Sequence, residues 1–171
     1  MAEVTVIGGG LAGCEAAWQL AEAGFSVRLL EMKPVQYTPA HRYEGLAELV
    51  CFNSLKADRI NSAAGLLKAE MTRLGSLLMR CARKSAVAAG GALAVDRKQF
   101  SDLATEAIRN HPNITLETAV VTEIPETPTV VATGPLTDGA LAADIEKHCG
   151  TRLSFFDAAA PIVSFESLDK E

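Results

Sequence analysis

The chain has 171 residues, 49% apolar and 22% charged, the balance of a globular domain with a core of its own. A formal net charge of −5 argues against a strong general nucleic-acid binder while leaving room for a local basic face. No apolar run is long enough to span a bilayer, and Met1-Ala2-Glu3 offers no secretory signal, so a cytoplasmic protein without membrane contact is expected. Cys14, Cys51, Cys81 and Cys149 are widely spaced without C-x-x-C, which favours free thiols over a disulfide frame or a metal site.

Val4-Thr5-Val6-Ile7 has strand composition and runs into Gly8-Gly9-Gly10-Leu11-Ala12-Gly13, where Gly8, Gly10 and Gly13 satisfy G-x-G-x-x-G. The first glycine makes the tight turn, the second lets a pyrophosphate approach the backbone, and the third lets helix and strand pack closely. A helix then runs from about Leu11 to Glu22, with Leu11, Ala12, Ala16, Leu20 and Ala21 inward and Gly24 as its stop. Phe25–Leu30 reads as a second strand ending on Glu31, the acidic residue about 20 positions on that a ribose hydroxyl needs. Cys14, in the first helical turn, reads as a small residue filling the strand–helix contact. The alternative is a thiol whose pKa the helix terminus lowers.

Residues 32–43, with Pro34 and Pro39, form a long loop, a length unusual in a compact unit unless it serves a ligand. Leu46–Leu55 follows as an apolar piece ending in polar residues. His41, Cys51, Asn53 and Ser54 are candidates to line a site beside the nucleotide. Against this, His41 also reads as a solvated loop residue and Cys51 as a core thiol. Ala63–Lys84 reads as one amphipathic helix, with Leu67, Met71, Leu74, Leu78 and Cys81 as its core stripe. Arg73, Arg80 and Arg83 lie on its solvated face, a phosphate-binding role being the lesser reading.

Gly90–Val95 is a turn and a short buried strand. Asp96 is an N-cap with Gln99 in capping-box position, opening a helix over Arg97–Asn110 with Phe100, Leu103, Ala104, Ala107 and Ile108 inward. His111 is then a helix-end residue. Ile114–Glu117 and Ala119–Ile124 read as strands, and Thr129–Pro135 as a buried strand running into a glycine turn. Asp138 begins a last helix that Gly150 ends, with Cys149 packed. The tail from Leu153 to Glu171 has no evident partner element.

Two fingerprints in this order, the glycine motif with Glu31 and the later Ala132-Thr133-Gly134 turn, resemble the glutathione-reductase-like FAD domain. The resemblance implies an α/β Rossmann domain, a parallel sheet with helices that binds FAD or NAD(P). Gly8, Gly9, Gly10, Leu11, Ala12, Gly13, Glu31, Thr133 and Gly134 would hold the FAD.

Further segments narrow the likeness: Glu31-Met32-Lys33-Pro34, Thr38-Pro39-Ala40-His41, Glu48-Leu49-Val50-Cys51, Asn53-Ser54-Leu55, Gly65–Lys68, Gly90–Arg97 and Pro135-Leu136-Thr137. Together they resemble the folate- and FAD-dependent tRNA (uracil-5-)-methyltransferases, the TrmFO family, over essentially the whole chain. That resemblance implies transfer of a methylene from methylenetetrahydrofolate, with reduction, to C5 of a T-loop uridine in tRNA. NAD(P)H is the implied electron source, and Cys51 the implied catalytic residue beside the flavin. His41, Asn53 and Ser54 are implied to lie near substrate or flavin. Phe52 departs from the serine usual there, and the family's C6-attacking cysteine falls in a later part of its chain. Family members are also considerably longer. Residues 1–152 are accordingly expected to be the N-terminal part of an incomplete FAD-binding domain and 153–171 the truncated start of an inserted one, inactive alone. The sister MnmG (GidA) family, which modifies the tRNA wobble uridine, shares the Gly8–Ala17 pattern. A small-molecule flavin oxidoreductase and a non-catalytic dinucleotide-binding module are the other readings.

Overall fold

The computed structural model describes residues 2–151. The expected start of a second domain at 153–171 lies outside them.

Strand β1 (Glu3–Ile7), helix α1 (Leu11–Glu22) and strand β2 (Ser26–Glu31) open the chain as read. Val4, Thr5, Val6 and Ile7 are all buried, because a parallel strand covered on both faces has no solvent side. β2 pairs with β1 in parallel, Val6 opposite Leu29. Strand β6 (Ile114–Thr118) lies outside β2, and β7 (Thr129–Val131) flanks β1, giving the all-parallel order β6-β2-β1-β7. A small antiparallel sheet combines β3 (Ser54–Ala57), β5 (Ala92–Val95) and β4 (Ala86–Val87).

Val6, Val27 and Leu29 join the main core with Phe100 and Ile108 of α4 (Arg97–Arg109) and Leu77 of α3 (Leu77–Lys84). Burying Phe100 contributes about 1.5–3 kcal/mol. A smaller cluster sets Ile7 and Leu30 against Leu141 and Ile145 of α5 (Gly139–Cys149). As expected, the Asp96 carboxylate accepts the Gln99 N–H at the start of α4, and Gly150 ends α5 in the left-handed region.

Several expectations are corrected. The 63–84 helix is two helices, α2 (Ala63–Arg73) and α3, because Gly75 turns left-handed at φ +77° and Ser76 caps a new start. The Ser76 hydroxyl accepts the Met79 N–H and donates to Glu15 of α1, whose carboxylate also accepts the Leu77 and Leu78 N–H groups. The core stripe holds only in part: Met71, Leu78 and Cys81 pack against the core, while Leu67 is 56% and Leu74 75% exposed. α1 turns about one residue from the expected face, burying Gly13, Cys14, Ala17 and Ala21. Ala119–Ile124 is loop rather than strand. β7 is a short, half-exposed edge strand rather than a buried one, with no partner strand on its outer side among the described residues. Cys149 is exposed, and so is Cys51, against its core-thiol reading.

Candidate functional site

The site grows from the turn joining β1 to α1. Gly8 has φ +100°, and a Cβ there would stand 2.7 Å from the Ala132 carbonyl oxygen beyond β7. A Cβ on Gly13 would land on the Gly8 carbonyl oxygen. These two glycines are required by the protein's own packing. Gly10 differs, since a Cβ there would meet nothing within 4 Å. Its smallness keeps open space in front of the helix start.

That helix start is electrostatically bare. α1 has no side-chain cap and no acidic residue in its first turn. Its first N–H groups lack intrahelical partners, and the positive end of the dipole faces outward, the standard condition for binding a phosphate.

Gly9 lies behind the turn, fully engaged. Its N–H donates to Glu31 Oε2 at 2.6 Å, and its carbonyl accepts the Ala47 N–H at 2.8 Å and the Cys14 thiol at 3.3 Å. Burial, followed by the nearby Glu31 charge, pushes the Cys14 thiol up to about 12. Cys14 is thus a neutral packing group and donor, and the lowered-pKa reading falls. Glu31 ends β2 with its other oxygen accepting the Lys33 N–H at 2.9 Å.

In front of the turn is a cavity of about 470 Å³, within the range of small-molecule sites. Gly8, Gly10, Leu11, Ala12, Glu31, His41, Thr133 and Gly134 all line it. Gly9 and Gly13 support it from behind. Thr38 Oγ1 lies 2.5 Å from His41 Nδ1. Three expected residues are not on this wall. Asn53 is tied to β5, its side-chain amide donating to the Val95 carbonyl at 3.2 Å. Ser54 begins β3 and accepts the Lys56 N–H. Cys51 is exposed one residue beyond Val50, which does line the cavity.

The loop wall is pinned from within by residues the sequence did not single out. Buried Lys33 donates its ammonium protons to the Tyr43 and Gly45 carbonyls at 3.0 and 2.5 Å, 3.6 Å from Glu48 Oε2. Glu48 Oε1 accepts the Arg42 and Tyr43 N–H groups, leaving Oε2 buried without a hydrogen-bond partner. Ser101 and Thr105 of α4 grip the same loop at Leu46. Their only sequence signal is polarity on an otherwise apolar helix face. Of the helical arginines, Arg83 pairs with Asp58 and Arg80 stacks over Trp18. Among the described residues, no group of three or more His, Cys, Asp or Glu side chains could hold a metal ion.

An uncapped helix start, open space over Gly10, and a carboxylate at the end of the next strand fit a dinucleotide's diphosphate and ribose. Beneath the same wall the buried Glu48 Oε2 faces the Lys33 ammonium at 3.6 Å.

Comparison with known proteins gives the lineage. The chain is 57% identical over 171 residues to the methylenetetrahydrofolate–tRNA-(uracil-5-)-methyltransferase TrmFO of Ligilactobacillus salivarius, covering 99% of this chain and 39% of that protein. It is 56% identical over 168 residues to the TrmFO of Geotalea daltonii, covering 98% of this chain and 38% of that protein. The chain thus spans about two fifths of the length of these relatives. In structure it is similar to GidA of Aquifex aeolicus, with TM-score 0.57 and 18% identity over 72% of this chain and 20% of that one, which shows a shared fold. The family model for glucose inhibited division protein A matches residues 3–171, and the chain belongs to that family.

Proposed function

We propose that this chain is the FAD-holding part of an enzyme that moves a methylene from methylenetetrahydrofolate, with reduction, to C5 of a T-loop uridine in tRNA. The observation that carries the reading is the open, uncapped helix start beside Glu31, in a chain more than half identical to proteins named for that reaction. The first-turn N–H groups of α1 would hold the diphosphate, Glu31 the ribose, and Thr133 and Gly134 the opposite edge. When bound, FAD supplies carbon-carrying and hydride chemistry that side chains lack, with NAD(P)H as electron source.

Uracil C5 is a poor nucleophile until its proton is removed or a group adds at C6, which is work for bases and thiolates. Cys51, exposed beside the cavity wall, is the group we assign to proton removal at C5 or to assisting the carbon transfer. His41 faces the same space, with Asn53 and Ser54 holding the Cys51 segment to the small sheet. No helix among the described residues is long and apolar enough to cross a membrane.

The test uses the whole protein that carries this sequence, purified with its flavin and given methylenetetrahydrofolate, NAD(P)H and tRNA lacking the T-loop methyl group. Formation of 5-methyluridine is expected, and its absence removes the proposal. Cys51→Ala should keep the flavin and lose methylation. Undiminished methyl transfer returns Cys51 to a surface thiol without a role.

A further inference from the structure

Gly9 sits directly behind the open face of the turn, and every polar atom of its backbone is engaged. The donors to its carbonyl matter most, because the Gly9–Gly10 peptide is planar and trans. In such a unit the carbonyl and the following N–H point in opposite directions. Holding the Gly9 oxygen backward, on the Ala47 N–H and the Cys14 thiol, therefore turns the Gly10 N–H forward. Gly10 lines the cavity, and its N–H has no partner among the described residues.

Ala47 is an unlikely residue to be fixed there unaided. It is fully buried and has φ +51°, a left-handed conformation that strains a non-glycine residue and that the surroundings must over-determine. The surroundings are two hydroxyls of α4, one helical turn apart. Thr105 Oγ1 accepts the Leu46 N–H at 2.8 Å, and Ser101 Oγ donates to the Leu46 carbonyl at 2.5 Å. The Thr105 hydroxyl in turn donates to the Ser101 carbonyl at 2.7 Å, which fixes its own rotamer. Both polar groups of Leu46 are thus set by α4, and neither hydroxyl touches the cavity.

We propose that Ser101 and Thr105 are positioning residues of the nucleotide site: through Leu46 and Ala47 they fix the Gly9 carbonyl and so aim the Gly10 N–H at the diphosphate. The inference rests on the dinucleotide reading and adds to it a relay from a helix that meets no ligand.

The experiment measures Kd for FAD, ADP and adenosine on the whole protein freed of flavin, together with its unfolding temperature. Thr105→Val keeps the shape and removes the hydroxyl. It should weaken FAD and ADP about tenfold, the loss of roughly one hydrogen bond, and leave adenosine within about twofold. Thr105→Ser, which restores the hydroxyl, should bind all three like the parent. If Thr105→Val does not fold, Ser101→Ala, which removes only the bond to the Leu46 carbonyl, carries the same test. A lowered unfolding temperature with FAD and ADP affinities unchanged overturns the relay and leaves a structural role alone. Failure of the parent protein to bind FAD or ADP would instead sink the dinucleotide reading, and the relay with it.

Discussion

Gly13→Ala sets two physical effects against each other. Gly13 lies inside α1, where alanine is the better helix former by about 1 kcal/mol. Propensity alone predicts stabilisation. The new Cβ, however, would fall on the carbonyl oxygen of Gly8 and lie 3.4 Å from the Ala132 side chain. Gly8 is backbone at a left-handed turn and has no rotamer to move aside. Overpacking of this kind costs about 1–3 kcal/mol, and a clash against fixed backbone belongs at the upper end. The net expectation is a loss of about 2 kcal/mol, or roughly 4–8 °C in unfolding temperature for a chain of this size. Relief of the clash also means lifting α1 off β1, which shifts the Leu11 and Ala12 N–H groups and weakens FAD binding. Thermal unfolding of the apoprotein, followed by circular dichroism, reads the first effect, and a flavin titration reads the second. An unchanged or raised unfolding temperature would refute the close strand–helix contact on which the site's geometry depends.

Other outcomes follow from single side chains. Glu31→Gln leaves one of the Gly9 and Lys33 N–H groups facing an amide donor, so denaturant unfolding should show a loss of about 1–3 kcal/mol, together with weaker FAD binding; an unmoved midpoint would contradict the buried contacts. Ser76→Ala removes the cap of α3 and should cost about 1 kcal/mol, read from the same unfolding curve. Alkylation at pH 8 followed by peptide mass mapping should modify Cys51 and Cys149 quickly and spare Cys14 and Cys81. Because burial holds Cys14 neutral, its contribution to stability is complete below the ordinary thiol value of 9.0 and is lost as pH climbs toward about 12. Rapid labelling of Cys14 at pH 8 would place it elsewhere than behind the turn.

Much of the frame was legible because its signals are local. The strand, three glycines, helix, strand and Glu31 stand in unbroken order, and Asp96 and Gly150 mark helix ends by capping chemistry that does not depend on distant contacts. The reading went astray where a remote partner decides. The apolar spacing from Leu67 to Cys81 runs on through Gly75-Ser76, masking the local stop and cap there, which Glu15, 61 residues away from Ser76 on another helix, reinforces. The expected grouping of His41 with Cys51, Asn53 and Ser54 divides for a similar reason. Asn53 answers to Val95 of the small sheet, whereas His41 belongs to the loop that Lys33 and Glu48 pin. Ser101 and Thr105 were invisible as site residues, since their importance lies in a loop more than 50 positions earlier.

The outer margin of β7 has a bearing on anyone handling this stretch of protein alone. Among the described residues no strand pairs with its outer side, and the half-open Val130 and Val131 side chains there form a template for another extended segment. Preparations should cloud as they are concentrated, and a lysine at position 130 should keep them clear.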